Sequence, residues 1–143
     1  MKKEICNAFG NVFLTVEYED KYNLVHNNWL GYQTLENVML GANACLELLA
    51  YYNCPYLLND NRLVIGDWNH ANDWIANEWT PLAVENGLRY FAHVVNPESY
   101  AALSAQMMEE QVSGLLRMRI FEDFEEARNW IITAQPADVP IEI

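Results

Sequence analysis

Three titratable side chains, Asp60, Arg62 and His93, could carry out chemistry in this chain. A carboxylate can act as a general acid or base, a guanidinium can anchor an anion through forked hydrogen bonds, and an imidazole can move a proton near neutral pH. A structural interpretation competes with each role, because Asp60 can pair with Arg62 to tether a loop and His93 can be a hydrogen-bonded core residue. We favour the structural interpretation and predict no catalytic residue. A small enzyme that uses these three groups is the alternative.

An apolar run that stops abruptly positions two of these groups. Tyr56-Leu57-Leu58 is followed at once by Asn59-Asp60-Asn61-Arg62, as expected where a buried parallel strand emerges into solvent. Open α/β sheets bind ligands at the carboxyl ends of their strands. We therefore expect a binding site at the end of a strand that spans residues 56–60.

Aromatic side chains are the other candidates for binding. Trp68, Trp74 and Trp79 do not share one narrow helical stripe, so at least one ring should point away from the core. We predict that Trp68 forms a semi-exposed pocket wall with Trp29 and Tyr32, and core packing is the alternative for Trp74 and Trp79. The predicted binding residues are, in chain order, Trp29, Tyr32, Asp60, Asn61, Arg62, Trp68 and Asn96.

A polar cluster, His26-Asn27-Asn28, lies within the third predicted strand. All three side chains need hydrogen-bond partners if they are buried. The cluster could line a polar pocket, and an exposed strand face explains it equally well.

Signatures of other active sites are missing from the sequence. The three serines lie outside any nucleophile-elbow pattern, and the six glycines form no phosphate-binding loop. The three cysteines and three histidines are scattered, without the spacing of metal ligands. We predict no metal site and no cofactor.

Composition limits the function classes. The 143 residues fit one domain, 52% of them are apolar, and the net charge of −12 would repel phosphate backbones and anionic membrane surfaces. Nucleic acid is therefore a poor partner, whereas a basic protein is compatible with the charge. Three cysteines make no disulfide framework, and no apolar run is long enough for a signal peptide or a membrane span. We expect a reduced, soluble, cytoplasmic protein.

Hydrophobic periodicity predicts one α/β domain over residues 1–134, followed by an irregular tail at 135–143. The predicted order is β-β-β-α-β-α-β-α-β-α, which gives a mixed, mainly parallel sheet with an antiparallel hairpin at its N-terminus. The hairpin should turn at Gly10-Asn11. The predicted strands span residues 4–9, 12–18, 22–30, 56–60, 88–95 and 115–121, the last at an edge of the sheet.

Capping residues and proline positions predict where the helices begin and break. Thr34, Asn96 and Asp123 should cap the first, third and fourth helices. Thr80-Pro81 should interrupt the second helix and begin a new segment. The predicted inner face of the third helix is Tyr100, Leu103 and Met107.

Over nearly its whole length, this order of elements resembles the SpoIIAA-like (STAS/Sec14-type) domains, of the small uncharacterised bacterial kind. The resemblance is in the order of short segments, and none of them is a catalytic signature. These segments are Trp29-Leu30-Gly31, Leu57-Leu58-Asn59-Asp60-Asn61-Arg62, Trp79-Thr80-Pro81-Leu82, Glu85-Asn86-Gly87-Leu88, and Phe121-Glu122-Asp123-Phe124 with Ala127 and Trp130.

The resemblance implies a domain that binds a protein partner or a small, often apolar, molecule. Anti-sigma-factor antagonists of this fold carry a phosphorylatable serine at the start of the helix after the central strand, but residues 66–70 read Gly-Asp-Trp-Asn-His and contain no hydroxyl. The first hypothesis is therefore a non-enzymatic regulatory or binding module. The enzyme described above is one alternative, and a partner-switching antagonist without the usual serine is the other. Association of two copies as a homodimer is compatible with each.

Overall fold

The computed structural model describes residues 1–136, which form one six-stranded sheet covered by helices. The strands lie side by side in chain order. The first three pair antiparallel, whereas the third to the sixth pair parallel, so the predicted mixed sheet is confirmed. The strands are β1 (Lys2–Cys6), β2 (Val12–Glu19), β3 (Leu24–Tyr32), β4 (Tyr56–Ile65), β5 (Tyr90–Val94) and β6 (Arg117–Phe121).

The helices lie on both faces of the sheet. Those that connect the parallel strands pack on one face, which we call the α1 face, and the last helix packs on the opposite face, which we call the α5 face. The predicted order holds, except that three successive helical segments connect β4 to β5. The helical elements are α1 (Leu35–Tyr51), α2 (Asn69–Trp74), a π-helical segment (Ile75–Trp79), α3 (Thr80–Glu85), α4 (Tyr100–Val112) and α5 (Phe124–Ala134).

Two of the three predicted caps are confirmed. The Thr34 hydroxyl accepts a hydrogen bond from the Asn37 backbone N–H at 3.1 Å, and the Asp123 carboxylate accepts one from Glu126 at 3.0 Å. The prediction that Asn96 caps the third helix was wrong. This helix, α4, begins at Tyr100 and its cap is Ser99, whose hydroxyl accepts from the Ala102 N–H at 3.1 Å.

The N-terminal hairpin turns through a longer loop than predicted. β1 ends at Cys6, which pairs with Val12, so residues 7–11 form the connection. The Asn7 side-chain oxygen accepts from the backbone N–H of Phe9 at 2.9 Å and of Asn11 at 3.1 Å, which closes the loop before a two-residue turn can form.

The prediction that Thr80-Pro81 begins a new helical segment is confirmed, because α3 starts at Thr80 with the proline in its first turn, but the backbone stays helical across the junction. Helical backbone continues from Asn69 to Glu85, and the wider π turn of Ile75–Trp79 immediately precedes the proline. Proline has no N–H to donate to the preceding turn and its ring needs space there. A locally widened turn accommodates both, and such single turns within α-helices often lie at functional sites.

β4 runs past the polar segment that was expected to end it. Leu63, Val64 and Ile65 pair with the last residues of β3 beyond a bulge, whereas β5 and β6 stop level with Asp60. The expected strand end at residue 60 was therefore wrong, because the ladder with β3 keeps the chain extended. Alternate residues of Asn59–Arg62 consequently face opposite sides of the sheet.

The predicted inner face of α4 is in fact its outer face. Tyr100, Leu103 and Met107 are 69%, 54% and 46% exposed. Small side chains allow a helix to approach a sheet closely, and the residues that α4 buries are mostly small. They are Ala101, Ala102, Ser104, Ala105, Met108 and Val112.

The C-terminal part of the sheet agrees with prediction. β6 lies at the edge of the sheet, and Arg117 and Arg119 are exposed on it. The predicted irregular tail lies, beyond Pro136, outside the described residues.

No helix within residues 1–136 is long and apolar enough to cross a membrane.

Candidate functional site

A cavity lies between the α1 face of the sheet and the helices that cover it. Its volume is about 50 Å³. Strands β3, β4 and β5 contribute its floor, and α1, the π-helical segment and α4 contribute to its cover. The lining residues are Asn27, Trp29, Gln33, Val38, Ala42, Leu57, Asn59, Asn61, Val64, Trp68, Ile75, Trp79, Phe91, His93 and Met108.

A row of polar side chains crosses the floor of the cavity. Asn27, Asn59 and His93 are register partners on three adjacent parallel strands, so they point to the same face of the sheet. The Asn59 side-chain oxygen accepts from Asn27 Nδ2 at 2.8 Å and from Trp29 Nε1 at 3.3 Å. All three members of the row are buried.

Asn61, two residues along β4, contacts the end of this row. Its Nδ2 lies 2.9 Å from His93 Nδ1, and the amide as oriented donates that hydrogen bond. His93 Nδ1 is then an acceptor, which places the proton of the neutral ring on Nε2. Burial lowers the pKa of His93 to about 3, so the ring is uncharged at neutral pH.

Aromatic rings form much of the remaining wall. The His93 ring stacks on Phe91 with centroids 4.3 Å apart, and Trp68 lies nearly parallel to it at 6.1 Å. Trp79 is held by a 2.8 Å hydrogen bond from its Nε1 to the Ala42 carbonyl oxygen. The cavity is therefore apolar on its helical side and polar on its sheet side.

Three buried polar atoms of the lining residues have no hydrogen-bond partner within the described chain. They are Asn27 Oδ1, Gln33 Oε1 and His93 Nε2. Each of these residues is at most 2% exposed. Buried polar groups in folded proteins are nearly always paired, with protein or with ordered water, so these three atoms are the groups that an occupant of the cavity could pair with.

A second polar cluster lies on the α5 face of the sheet. Arg62 Nε and Nη2 donate to the two Asp60 carboxylate oxygens at 2.9 and 2.7 Å, which confirms the predicted pairing. This hydrogen bonding raises the pKa of Arg62. The Arg62 guanidinium also lies 5.6 Å from the centre of the Phe124 ring of α5. Both residues lie within β4, so the pair lies between a strand and its covering helix and does not tether a loop.

The cluster His26-Asn27-Asn28 is divided between the two faces. Asn27 lines the cavity, whereas His26 packs against Phe124 with ring centroids 5.1 Å apart. His26 Nδ1 lies 3.7 Å from a Glu19 carboxylate oxygen. Burial lowers the pKa of His26, and the Glu19 and Asp60 carboxylates oppose the shift.

The structure brings three of the seven predicted binding residues together. Trp29, Asn61 and Trp68 line the cavity, while Asp60 and Arg62 face the opposite side of the sheet. The expected semi-exposed wall was wrong, because Trp68 is 6% and Trp29 7% exposed. The two other predicted residues lie at the surface: Tyr32 is 62% exposed, and Asn96 donates to the Arg62 carbonyl oxygen at 3.0 Å.

Sequence reasoning missed Gln33 and Asn59 as lining residues and assigned Trp79 to neither core nor site. A signal for part of this set was present. Asn59 and Asn61 are two residues apart, as are Asn27 and Trp29, and this spacing puts each pair on one face of a strand. The expectation that β4 ends within its polar segment concealed this spacing.

The three groups of the enzyme hypothesis do not converge. His93 lies on the α1 face and Asp60 with Arg62 on the α5 face, so the sheet separates them. A histidine whose pKa is about 3 is also a weak base. Among residues 1–136, no group of three or more His, Cys, Asp or Glu side chains lies close enough to hold a metal ion.

A serine hydroxyl of α4 forms hydrogen bonds with the first residues of α2. Ser104 of α4 accepts a hydrogen bond from the Trp68 backbone N–H at 3.0 Å and donates one to Asn69 Oδ1 at 2.7 Å. The Ser104 side chain is fully buried. It therefore braces the two helices that cover the cavity, and it is closed to a modifying enzyme in this conformation.

Comparison with known proteins relates the chain to one solved structure. No protein-family model matches the chain, and no curated protein matches it. The crystal structure of an uncharacterised protein of the DUF3478 family with a SpoIIAA-like fold, from Shewanella loihica PV-4, has a TM-score of 0.53 and is 17% identical. The similarity covers 82% of this chain and 91% of that one. The chain therefore has a SpoIIAA-like fold, as its sequence indicated.

Proposed function

We propose that this protein is a non-enzymatic ligand-binding module that holds a small, largely apolar molecule between its sheet and the helices of the α1 face. The observation that supports the proposal is the cavity lined by both aromatic rings and unpartnered polar atoms. Most small-molecule sites combine an apolar wall with a few placed polar groups. A regulatory role follows if the ligand changes how the covering helices present their outer surface.

The size of the cavity limits the ligand. The cavity, at about 50 Å³, is small. That is below the ~300 Å³ at which pockets for drug-sized ligands begin. The ligand should therefore be no larger than a single six-membered ring with one substituent.

Native mass spectrometry of the full chain, purified from its own host, tests the proposal. We expect a fraction of the protein to retain one additional small mass, which disappears on denaturation. Purified protein that carries only its own mass, and that also gains no mass when incubated with toluene or benzamide, would refute the proposal. The retained mass itself then identifies the natural ligand.

The outer face of α4 supports a second candidate function, the binding of a protein partner. Tyr100, Leu103 and Met107 form an exposed apolar stripe at helical spacing. Its surroundings are acidic, since the sequence from Tyr90 to Leu116 has three glutamates and no Lys or Arg. Charge complementarity therefore favours a partner segment that combines apolar residues with lysine or arginine.

An amphipathic peptide of leucine and lysine provides a direct test of the α4 face. Its binding, followed by fluorescence anisotropy, should weaken in Leu103→Gln and with added salt, but not in Leu40→Gln. Leu40 on α1 is a matched control because it is also 54% exposed. Equal loss in both variants argues against the stripe as a docking site. If sedimentation shows a dimer that Leu103→Gln abolishes, a second copy occupies the face and the basic partner is ruled out.

A further inference from the structure

We infer that the ligand of the cavity is uncharged and carries a hydrogen-bond acceptor and a donor in one polar group, as a primary amide or a ring lactam does, next to an apolar ring. This inference rests on the proposed ligand-binding function and narrows it to a chemical class.

The charge of the ligand follows from the charge of the lining. Within residues 1–136, the side chains that line the cavity include no Asp, Glu, Lys or Arg. His93 is neutral as well, since burial holds its pKa far below neutrality. An ion in this space would lose its hydration without gaining a counter-charge, which is very costly. Carboxylates, phosphates and ammonium groups are therefore excluded as ligand groups inside the cavity.

The polar group of the ligand follows from the three unpartnered atoms. The nitrogens of both amides concerned are already engaged, because Asn27 Nδ2 donates to Asn59 and Gln33 Nε2 donates to the Leu30 carbonyl oxygen at 2.9 Å. The free atoms of these two amides are thus their oxygens, which accept. His93 contributes the opposite function, since its Nε2 carries the proton and can donate. A ligand that satisfies both kinds of atom must both donate and accept.

Water alone is a poorer match for this lining. A space of about 50 Å³ would hold on the order of four water molecules. Each buried water needs two to four polar partners, but Trp68, Trp79, Ile75 and Phe91 offer their apolar surfaces to the cavity. A ring with a polar edge offers partners of both kinds to the orphan atoms and covers the aromatic wall at the same time.

Three ring compounds of similar size separate the inference from the proposed function. We would measure the dissociation constants of toluene, benzamide and benzoate for the full chain by isothermal titration calorimetry. Toluene leaves the orphan atoms unpaired, so benzamide should bind about tenfold more tightly, the value of one satisfied buried group. Benzoate should bind at least a hundredfold more weakly than benzamide, because its charge has no partner.

Two variants test whether the preference for benzamide over toluene comes from the unpartnered atoms of His93 and Gln33. In His93→Phe the donor is lost but the ring stack is kept, and in Gln33→Met one acceptor is lost; each should reduce the preference of benzamide over toluene several-fold. The wild-type ratio remains decisive if either variant fails to fold. Equal binding of toluene and benzamide, or tight binding of benzoate, overturns the inference while the proposed function survives. Binding of none of the three overturns both.

Discussion

Asn61 Nδ2 and His93 Nδ1 lie 2.9 Å apart, within hydrogen-bonding distance, in the layer between the sheet and its helices. The two residues lie on adjacent strands, and they are only 4% and 1% exposed. This contact fixes the tautomer of the histidine and leaves its other nitrogen as the only donor of the ring. The Asn61 amide of β4 therefore determines which hydrogen-bonding group His93 can offer to the cavity. In sequence, the polar segment that contains Asn61 looks like a loop.

The buried histidine should make stability depend on pH. The pKa of His93 is about 3 in the folded chain and ~6.5 in the unfolded chain, so below pH ~6.5 only the unfolded chain binds the proton. The stability that the neutral His93 ring contributes is therefore fully present above pH ~6.5. It is lost as the pH falls below that value, by up to ~1.4 kcal/mol per pH unit. Urea unfolding between pH 7.5 and pH 5 measures this slope.

A matched variant isolates the contribution of His93 to that slope. The pKa of His26 is also lowered by burial, so wild-type protein should show the effects of both rings. His93→Phe should remove the contribution of about one proton from the slope of stability against pH, and the contribution of His26 should remain. An unchanged slope in His93→Phe means that His93 titrates normally in the folded chain and is not buried as described.

Gly41 of α1 should be essential to the position of Trp29. A Cβ atom at this glycine would lie 2.6 Å from Trp29 Cη2 and 2.7 Å from Leu14 Cδ2. Gly41→Ala gains about 1 kcal/mol of helix propensity but must displace a buried ring. We expect a net loss of about 1–2 kcal/mol in the free energy of unfolding, together with weaker binding in the cavity.

Asn43→Ala is the control for Gly41→Ala because Asn43 is an exposed residue of the same helix. It should stabilise the protein by a few tenths of a kcal/mol through helix propensity alone. Chemical denaturation of both variants compares the two effects. A Gly41→Ala protein as stable as Asn43→Ala would show that Trp29 does not lie against α1.

The Asp60–Arg62 pair should support the fold without affecting the cavity. Arg62→Met leaves Asp60, which is 6% exposed, without its guanidinium partner. Because the Arg62 side chain is itself 43% exposed, we expect a loss of about 1–3 kcal/mol, less than for a fully buried pair. The double variant Asp60→Asn/Arg62→Met should recover part of the loss, since the charge is then removed.

Ligand binding tests whether the Asp60–Arg62 pair and the cavity, on opposite faces of the sheet, are independent of each other. The affinity of Arg62→Met for benzamide should equal that of wild-type protein at a temperature where both are folded, because the pair and the cavity lie on opposite faces. A severalfold change in the dissociation constant would instead place Arg62 in communication with the cavity.

Local sequence signals predicted much of the fold. Thr34 and Asp123 cap their helices because a short polar side chain before an apolar helical stripe has few alternative roles. The alternation of Arg117 and Arg119 with apolar neighbours placed β6 at an edge, since two charges on one face require solvent. The core interpretation of His93 is confirmed as well, because the apolar segment around it forms β5 and the histidine is 1% exposed.

The larger errors arise where contacts with a distant part of the chain determine the local structure. Leu63–Ile65 stay extended because they pair with the end of β3, and a polar segment before them concealed that pairing. Tyr100, Leu103 and Met107 have the spacing of an inner face, but the smaller residues of α4 fit against the sheet. The candidate site was only half predicted for the same reason: a polar residue inside a strand is visible in sequence, but the face it occupies depends on register.

Filling the cavity is the most direct test of its proposed role. Ala42 lines it from α1, and Ala42→Leu places three more carbon atoms in the space without removing a polar group. We would follow the backbone and side-chain N–H signals of both proteins by two-dimensional NMR as benzamide is added. The expected result is that wild-type signals of Asn61, Gln33 and Trp68 shift, and that these shifts vanish in a folded Ala42→Leu protein. Shifts confined to surface residues, or shifts that persist unchanged in Ala42→Leu, would contradict a ligand site between the sheet and its helices.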